Sequence, residues 1–199
     1  MKKKTIISLC LVAAIALLAI GGATLAYFTD NESATNVFTV GNVDIELTEP
    51  NWEEPETVLP GITYDKDPTV TNVGDNDAWV RVNVTLSDYA AFKAAADAHQ
   101  ITDLTTVFAG FEDSKWTLAG TPVVDTTADT VTYSYYYNTI LAVDANTGAL
   151  FTSVTVPAAF NNEEMAALGD DFTIDVTADA IQAEGFTTVA EAFAAFDAQ

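Results

Sequence analysis

Alternation of apolar and polar residues is the dominant pattern along this chain. Val80, Val82, Val84 and Leu86 alternate with Trp79, Arg81, Asn83 and Thr85, which is the two-residue period of a strand with one face toward a core. The same period runs through Val43, Ile45 and Leu47, through Tyr133, Tyr135 and Tyr137, and through Phe172, Ile174, Val176, Ala178 and Ala180. Further extended stretches are predicted at 62–73, 116–118, 123–124, 140–143 and 150–156. The first of these should break near Pro68, which has no N–H for a ladder. Residues 144–148, Asp-Ala-Asn-Thr-Gly, predict a turn. Gly41-Asn42 shifts the phase of the first strand by one residue, as a bulge or turn would. The prolines and acids of residues 49–60, grouped around Trp52, predict an extended loop.

Helical spacing replaces alternation in three places. Tyr89, Phe92, Ala95, Ala96 and His99 predict a short helix over 88–100, with Ser87 as its cap. Residues 101–112 follow neither period cleanly and allow a second helical turn. Asn161 or Asn162 can cap one short turn that Gly169 ends. Thr188 and Glu191 have capping-box spacing, which predicts a terminal helix over 190–198 with Phe193 and Phe196 as its apolar side. Seven or eight short strands without βαβ alternation point to an all-β fold. The expected architecture is an antiparallel two-sheet, jelly-roll-like or immunoglobulin-like sandwich with short helical insertions and a C-terminal helix.

The first 41 residues stand apart from this pattern. Lys2, Lys3 and Lys4 precede an unbroken apolar run over 6–20, and Gly21-Gly22 ends it. Thr24 and Ala26 supply small residues at the −3 and −1 positions of a cut before Tyr27, the form of an export signal. An uncleaved anchor is the alternative, since the run is nearly long enough to span a bilayer. The predicted organisation is a signal peptide at 1–26, an N-terminal arm at 27–41 and one sandwich domain at 42–199. The body of the protein is expected outside the cytoplasm, secreted to the extracellular matrix or cell surface, with membrane contact only during export.

Charge narrows the function classes. The whole chain carries 7 cations and 29 acids. Without the three N-terminal lysines, four cations face 29 acids, a net charge of −25. Such a surface repels phosphates and argues against nucleic-acid partners. It favours solubility and salt-sensitive self-assembly. The lone cysteine, Cys10, lies in the apolar run, preceded by Leu9 rather than the small residue a lipoprotein signal wants. No disulfide can therefore staple the exported part.

Catalytic constellations are scarce. His99 is the only histidine, so neither a His-Glu-x-x-His zinc motif nor an independent Ser-His-Asp site can be written. Acid pairs such as Asp65 with Asp67, Asp75 with Asp77, Asp125 with Asp129, Asp170 with Asp171 and Asp175 with Asp179 could hold calcium or act on protons. In so acidic a chain, however, such pairs arise by chance. No catalytic residue, resident metal or cofactor is assigned, and calcium stands as the one ion to consider. The tyrosines of 133–137 suit either a carbohydrate-stacking platform or a core face.

Several segments resemble the family of exported proteins processed by SipW-type signal peptidases, which includes the biofilm fibre protein TasA and camelysin. They are Ala26-Tyr27-Phe28-Thr29-Asp30, Phe38-Thr39-Val40-Gly41-Asn42-Val43-Asp44-Ile45, Leu59-Pro60-Gly61, Thr71-Asn72-Val73-Gly74, Ala78-Trp79-Val80-Arg81-Val82, Leu150-Phe151-Thr152-Ser153-Val154 and residues 178–186. The resemblance implies a jelly-roll subunit that joins copies of itself, or related matrix proteins, into a filament. In TasA-like fibres the N-terminal segment of one subunit completes the sheet of the next, which is β-augmentation. Here that donor would lie within 27–40, with Tyr27, Phe28, Val37, Phe38 and Val40 as its apolar contacts, and cleavage after Ala26 would release it. Camelysin also brings a metallopeptidase label, for which no residue motif is found. A monomeric surface protein that binds carbohydrate or calcium is a further alternative.

Overall fold

The computed structural model describes residues 43–53, 55, 57–169 and 172–198. The chain divides into two units, 1–39 and 40–199, and all described residues belong to the second.

The main layer is an antiparallel sheet of order β11-β4-β8-β6, with β7 also bonded to β8. Its strands are β4 (Ala78–Leu86), β6 (Trp116–Leu118), β7 (Val123–Asp125), β8 (Thr130–Tyr137) and β11 (Ile174–Gln182). The alternation read from the sequence sets the register. Val82 sits opposite Tyr135 and Ala178, and Val84 opposite Tyr133 and Val176. One face of the sheet is therefore apolar, and Val80, Val82, Val84 and Leu86 are wholly buried. Tyr133 and Tyr135 are buried as well, and burial pushes their phenols up to about 12. Those two tyrosines line the core and offer no carbohydrate platform.

The facing layer consists of two three-stranded antiparallel sheets, where one sheet was expected. One is β1 (Ile45–Thr48), β3 (Thr69–Asn72) and β9 (Asn146–Ala149) in the order β1-β3-β9. The other is β2 (Thr63–Asp65), β10 (Ser153–Thr155) and β5 (Phe108–Ala109) in the order β2-β10-β5. Two bonds bridge the gap between them: Lys66 N–H to Thr152 O at 3.2 Å, and Leu150 N–H to Pro68 O at 2.9 Å. Pro68 interrupts the ladder as its missing N–H requires. Opposite it, Leu150 and Phe151 leave strand geometry to fill the core. The strand expected over 150–156 is accordingly β10 alone. The expected turn at 144–148 is half strand, because Thr147 is buried and its Oγ accepts from Val70 N–H at 3.1 Å. The stretch at 140–143 contributes a single bridge, Leu141 to Ala78.

Among the described residues, three short helices decorate the sandwich. The N-cap position of helix α1 (Tyr89–Ala98) is Asp88 rather than the Ser87 expected from the sequence, and Asp88 makes no side-chain cap bond. Asp129 caps it from the β7–β8 turn, taking the N–H of Tyr89 on its carbonyl and that of Ala90 on its carboxylate. Residues Leu104–Val107 form a 3₁₀ turn leading into β5. Helix α2 (Asn162–Leu168) starts with a complete capping box between Asn161 and Glu164. Helix α3 (Val189–Phe196) is capped by Thr188. It covers the outer face of the main sheet, where Trp79, Ala183, Ala192 and Phe193 form a second small core.

Candidate functional site

The two layers are not sealed alike along both sides. On the side where β11 is the last strand of the main sheet, β1 lies against it from the other layer. β11 is nine residues long and hydrogen-bonded as a strand on its β4 side only, among the described residues. Its inward residues Ile174, Val176, Ala178 and Ala180 are half-buried, whereas their cross-strand partners Leu86, Val84, Val82 and Val80 are fully buried. The two sets share one ladder and one face. What differs, among the described residues, is a strand neighbour on the far side of β11.

β1 covers only part of this seam. Past Thr48 the chain leaves the sheet for the 49–60 loop, and a groove of about 1030 Å³ opens between that loop, β2, β10 and the start of β11. Val58, Leu59, Val154 and Val156 line one wall, Met165, Leu168, Phe172, Ile174 and Val176 the other, and Phe92 and Val107 the base. Phe92 stacks on Phe172 with ring centroids 5.6 Å apart and meets Phe160 edge-on, which fixes the base against α1. Tyr64 ties down the loop: its hydroxyl accepts from Leu59 N–H at 2.8 Å and donates to Thr57 O at 3.2 Å.

Lys66 closes one end of the groove. It is 5% exposed, a rare state for lysine. Its ammonium lies 2.9 Å from Glu49 Oε1 and 3.0 Å from Oε2, and 4.4 Å from the centroid of Trp52. Oε2 takes the hydrogen bond, while Oε1 is held by charge alone. Next to it, Asp67 receives both the backbone N–H and the side-chain amide of Asn51. These contacts hold the loop onto the seam.

His99 lies behind α2, at the C-terminal end of α1. Its Nε2 is 2.9 Å from Glu164 Oε2, and its ring stacks on Phe160. The N–H of Asn161 and this histidine hold the Glu164 carboxyl below its ordinary range. The wall formed by α2 is thereby fastened to α1.

The outer face of the main sheet carries another charged cluster. Arg81 donates to Asp179 at 2.9–3.0 Å and to Asp197 at 2.8–3.0 Å. It also lies over the ring of Phe193. Burial opposes its charge, but the bonds to Asp197 and Asp179 outweigh that and raise its pKa. The cluster clamps α3 to the sheet.

Several of the acids singled out in pairs in the sequence serve local structure. Asp125 accepts from Thr127 and Ala128 N–H, Asp129 caps α1, Asp179 binds Arg81 and Asn83, and Asp175 takes the Thr173 hydroxyl. Asp170 and Asp171 lie outside the described residues. Among the described residues no three His, Cys, Asp or Glu side chains are grouped to hold a metal. The cleavage residues Thr24, Ala26 and Tyr27, and the donor residues Phe28, Val37, Phe38 and Val40, also lie outside the described residues. The groove itself was missed by sequence reasoning, because its walls come from segments more than 100 residues apart. The one local signal was the isolated Trp52 and Lys66 in an acidic, proline-rich stretch.

No curated protein and no solved structure matches the chain. A family model described as camelysin metallo-endopeptidase matches residues 1–108, more than half of the sequence. A catalytic zinc takes three protein ligands, and the described donor residues do not form such a set. The matched region carries β1 to β4, α1 and the 49–60 loop that walls the groove. On that match, the chain belongs to the camelysin family.

Proposed function

We propose that this protein is a structural subunit of the cell surface or extracellular matrix, exported by its first 26 residues and assembled into fibres through its N-terminal arm. A SipW-type signal peptidase is the enzyme expected to cut after Ala26. The cut would give the arm a free end only once the chain is outside, so assembly is withheld until export. The observation that carries this reading is the edge of β11, with nine residues of strand bonded on one side only among the described residues and an apolar face left half-buried. Such an edge gains main-chain hydrogen bonds and buries apolar surface when another strand joins it. A net charge of −25 then makes assembly dependent on salt, since like-charged subunits must approach within about a Debye length of 8–10 Å.

Electron microscopy of the purified chain beginning at Tyr27 tests the reading. Filaments are expected, in greater number at higher salt. Monomers at every salt concentration would contradict it. The description of the family favours a second reading, that of a metallo-endopeptidase. Cleavage of an unstructured substrate by the pure protein, abolished by a chelator, would establish that activity.

A further inference from the structure

We propose that helix α3 is an exchangeable latch: it comes off the outer face of the main sheet as a unit, and the face it leaves takes α3 of a second copy of this chain. The two copies then form a closed pair, each covered by the helix of the other. This goes beyond the reading above and does not depend on the N-terminal arm.

The outer face is separate from the main core. Trp79, Ala183, Ala192 and Phe193 make up the small second core, and none of them belongs to the cluster between the layers. Lifting α3 therefore leaves Val80, Val82, Val84 and Leu86 sealed on the inner face of the sheet. The helix is eight residues long, and its fully buried residues are Ala192 and Phe193. A helix of that length is not stable alone in water, so α3 is either docked or unfolded. Its capping bonds travel with it: Thr188 Oγ accepts from Glu191 N–H at 3.2 Å, and Glu191 Oε2 accepts from Thr187 N–H at 3.0 Å. The hinge lies just before them. Ala183 is fixed by its N–H to Asp77 O at 2.8 Å. Gly185 follows at φ +95°, with nothing within 4 Å of where a Cβ would stand. A small unit with its own bonds and a single hinge is the part of a fold that opens ahead of the rest.

The face decides the occupant. Phe193 stacks on Tyr136 with ring centroids 5.5 Å apart, and its own centroid is 4.6 Å from the Arg81 guanidinium. One turn on, Asp197 takes two hydrogen bonds from Arg81, at 2.8 and 3.0 Å. The face thus asks for an aromatic ring and a carboxylate four residues apart on one helix. Phe92 of α1 is in the main core, and α2 has no aromatic residue. Among the described helices only α3 offers the pair, and a second copy brings an identical one. The fit also leaves a cost that favours opening. Trp79 is 7% exposed, and its Nε1–H finds no acceptor among the described residues. A buried donor without a partner weakens the docked state. On exchange each copy gives and receives the same patch, so the contact is isologous and closes as a two-fold pair.

Crosslinking of two differently tagged chains tests the proposal, because the chain from Tyr27 onward contains no cysteine. One carries Asp179→Cys and the other Asp197→Cys. Both carboxylates meet the Arg81 guanidinium, so thiols in their places are within reach of a short bismaleimide. Val123→Cys, exposed on β7, is the control acceptor. The expected result is an adduct between the two tagged chains at least tenfold more abundant with Asp179→Cys than with Val123→Cys, rising with protein concentration. A single chain carrying both Asp179→Cys and Asp197→Cys reports docking within one copy. Closure of that chain with no adduct between copies would overturn the exchange. Neither closure nor adduct would overturn the docked position of α3 and the proposal with it. Hydrogen exchange of the unsubstituted chain is the second measurement. Backbone amides of α3 should exchange at least tenfold faster than those of β4 and β8. Protection of α3 equal to that of β4 would overturn the latch, whatever adducts form.

Discussion

Replacing Lys66 by methionine should loosen the 49–60 loop and cost a measurable share of the domain's stability. Lys66 is 5% exposed and its partner Glu49 has a side chain 22% exposed. Removing one member of a buried ion pair costs about 3–5 kcal/mol. Glu49 keeps some access to water, so screening places the loss nearer about 2–3 kcal/mol. The lost contact with Trp52 adds about 0.5–1 kcal/mol. Methionine keeps the apolar packing of the lysine stem, so little is added for a cavity. The sum, about 3 kcal/mol, should lower the melting midpoint by about 6–12 °C for a domain of this size. Urea unfolding followed by tryptophan fluorescence measures it for Lys66→Met, Glu49→Gln and the double variant. The geometry requires the double variant to be more stable than Lys66→Met alone, with a coupling of at least about 1 kcal/mol. Single effects that simply add, or a Lys66→Met cost below about 0.5 kcal/mol, would refute the argument.

Other outcomes follow from the same structure. Arg81→Ala should free α3 from the sheet, lowering stability by about 2–3 kcal/mol and shifting the emission of Trp79 to the red; an unchanged spectrum would deny the clamp. Gly110→Ala should be severely destabilising, because its φ is +71° and a Cβ would overlap Thr152 Oγ1. Gly120→Ala, with φ +83° and open space around it, should cost only about 1 kcal/mol of backbone strain. Comparable melting temperatures for the two variants would contradict this. Glu164 has a folded pKa below its ordinary value of 4.5. Its contribution is therefore complete above that pH and lost as the pH falls through the lowered value. Glu164→Gln should flatten the acid limb of the stability profile below about pH 4.5, and an unaltered limb would show that the capping box and His99 do not act on it.

The central strands could be read from the sequence because their side chains obey one local rule. Val80 to Leu86 alternate strictly, Val131, Tyr133 and Tyr135 recur at every second position, and burial on one face follows. Pro68 announced its own break for an equally local reason. The cap of α1 was not legible, because Asp129 reaches it from 39 positions away. The strand at 146–149 was hidden by turn-forming residues, which the partner strand β3 overrides. The seam lay furthest from view. Its walls combine residues 58–66, 154–156, 165–169 and 172–176, and its extent depends on where β1 stops, which no periodicity records.

The most direct test of the account compares the purified chain of residues 27–199 with the same chain lacking residues 27–37, by sedimentation velocity and electron microscopy at one salt concentration. The account predicts filaments for the first and a folded monomer for the second, with matching circular dichroism. Filaments of unchanged abundance after the deletion would contradict it.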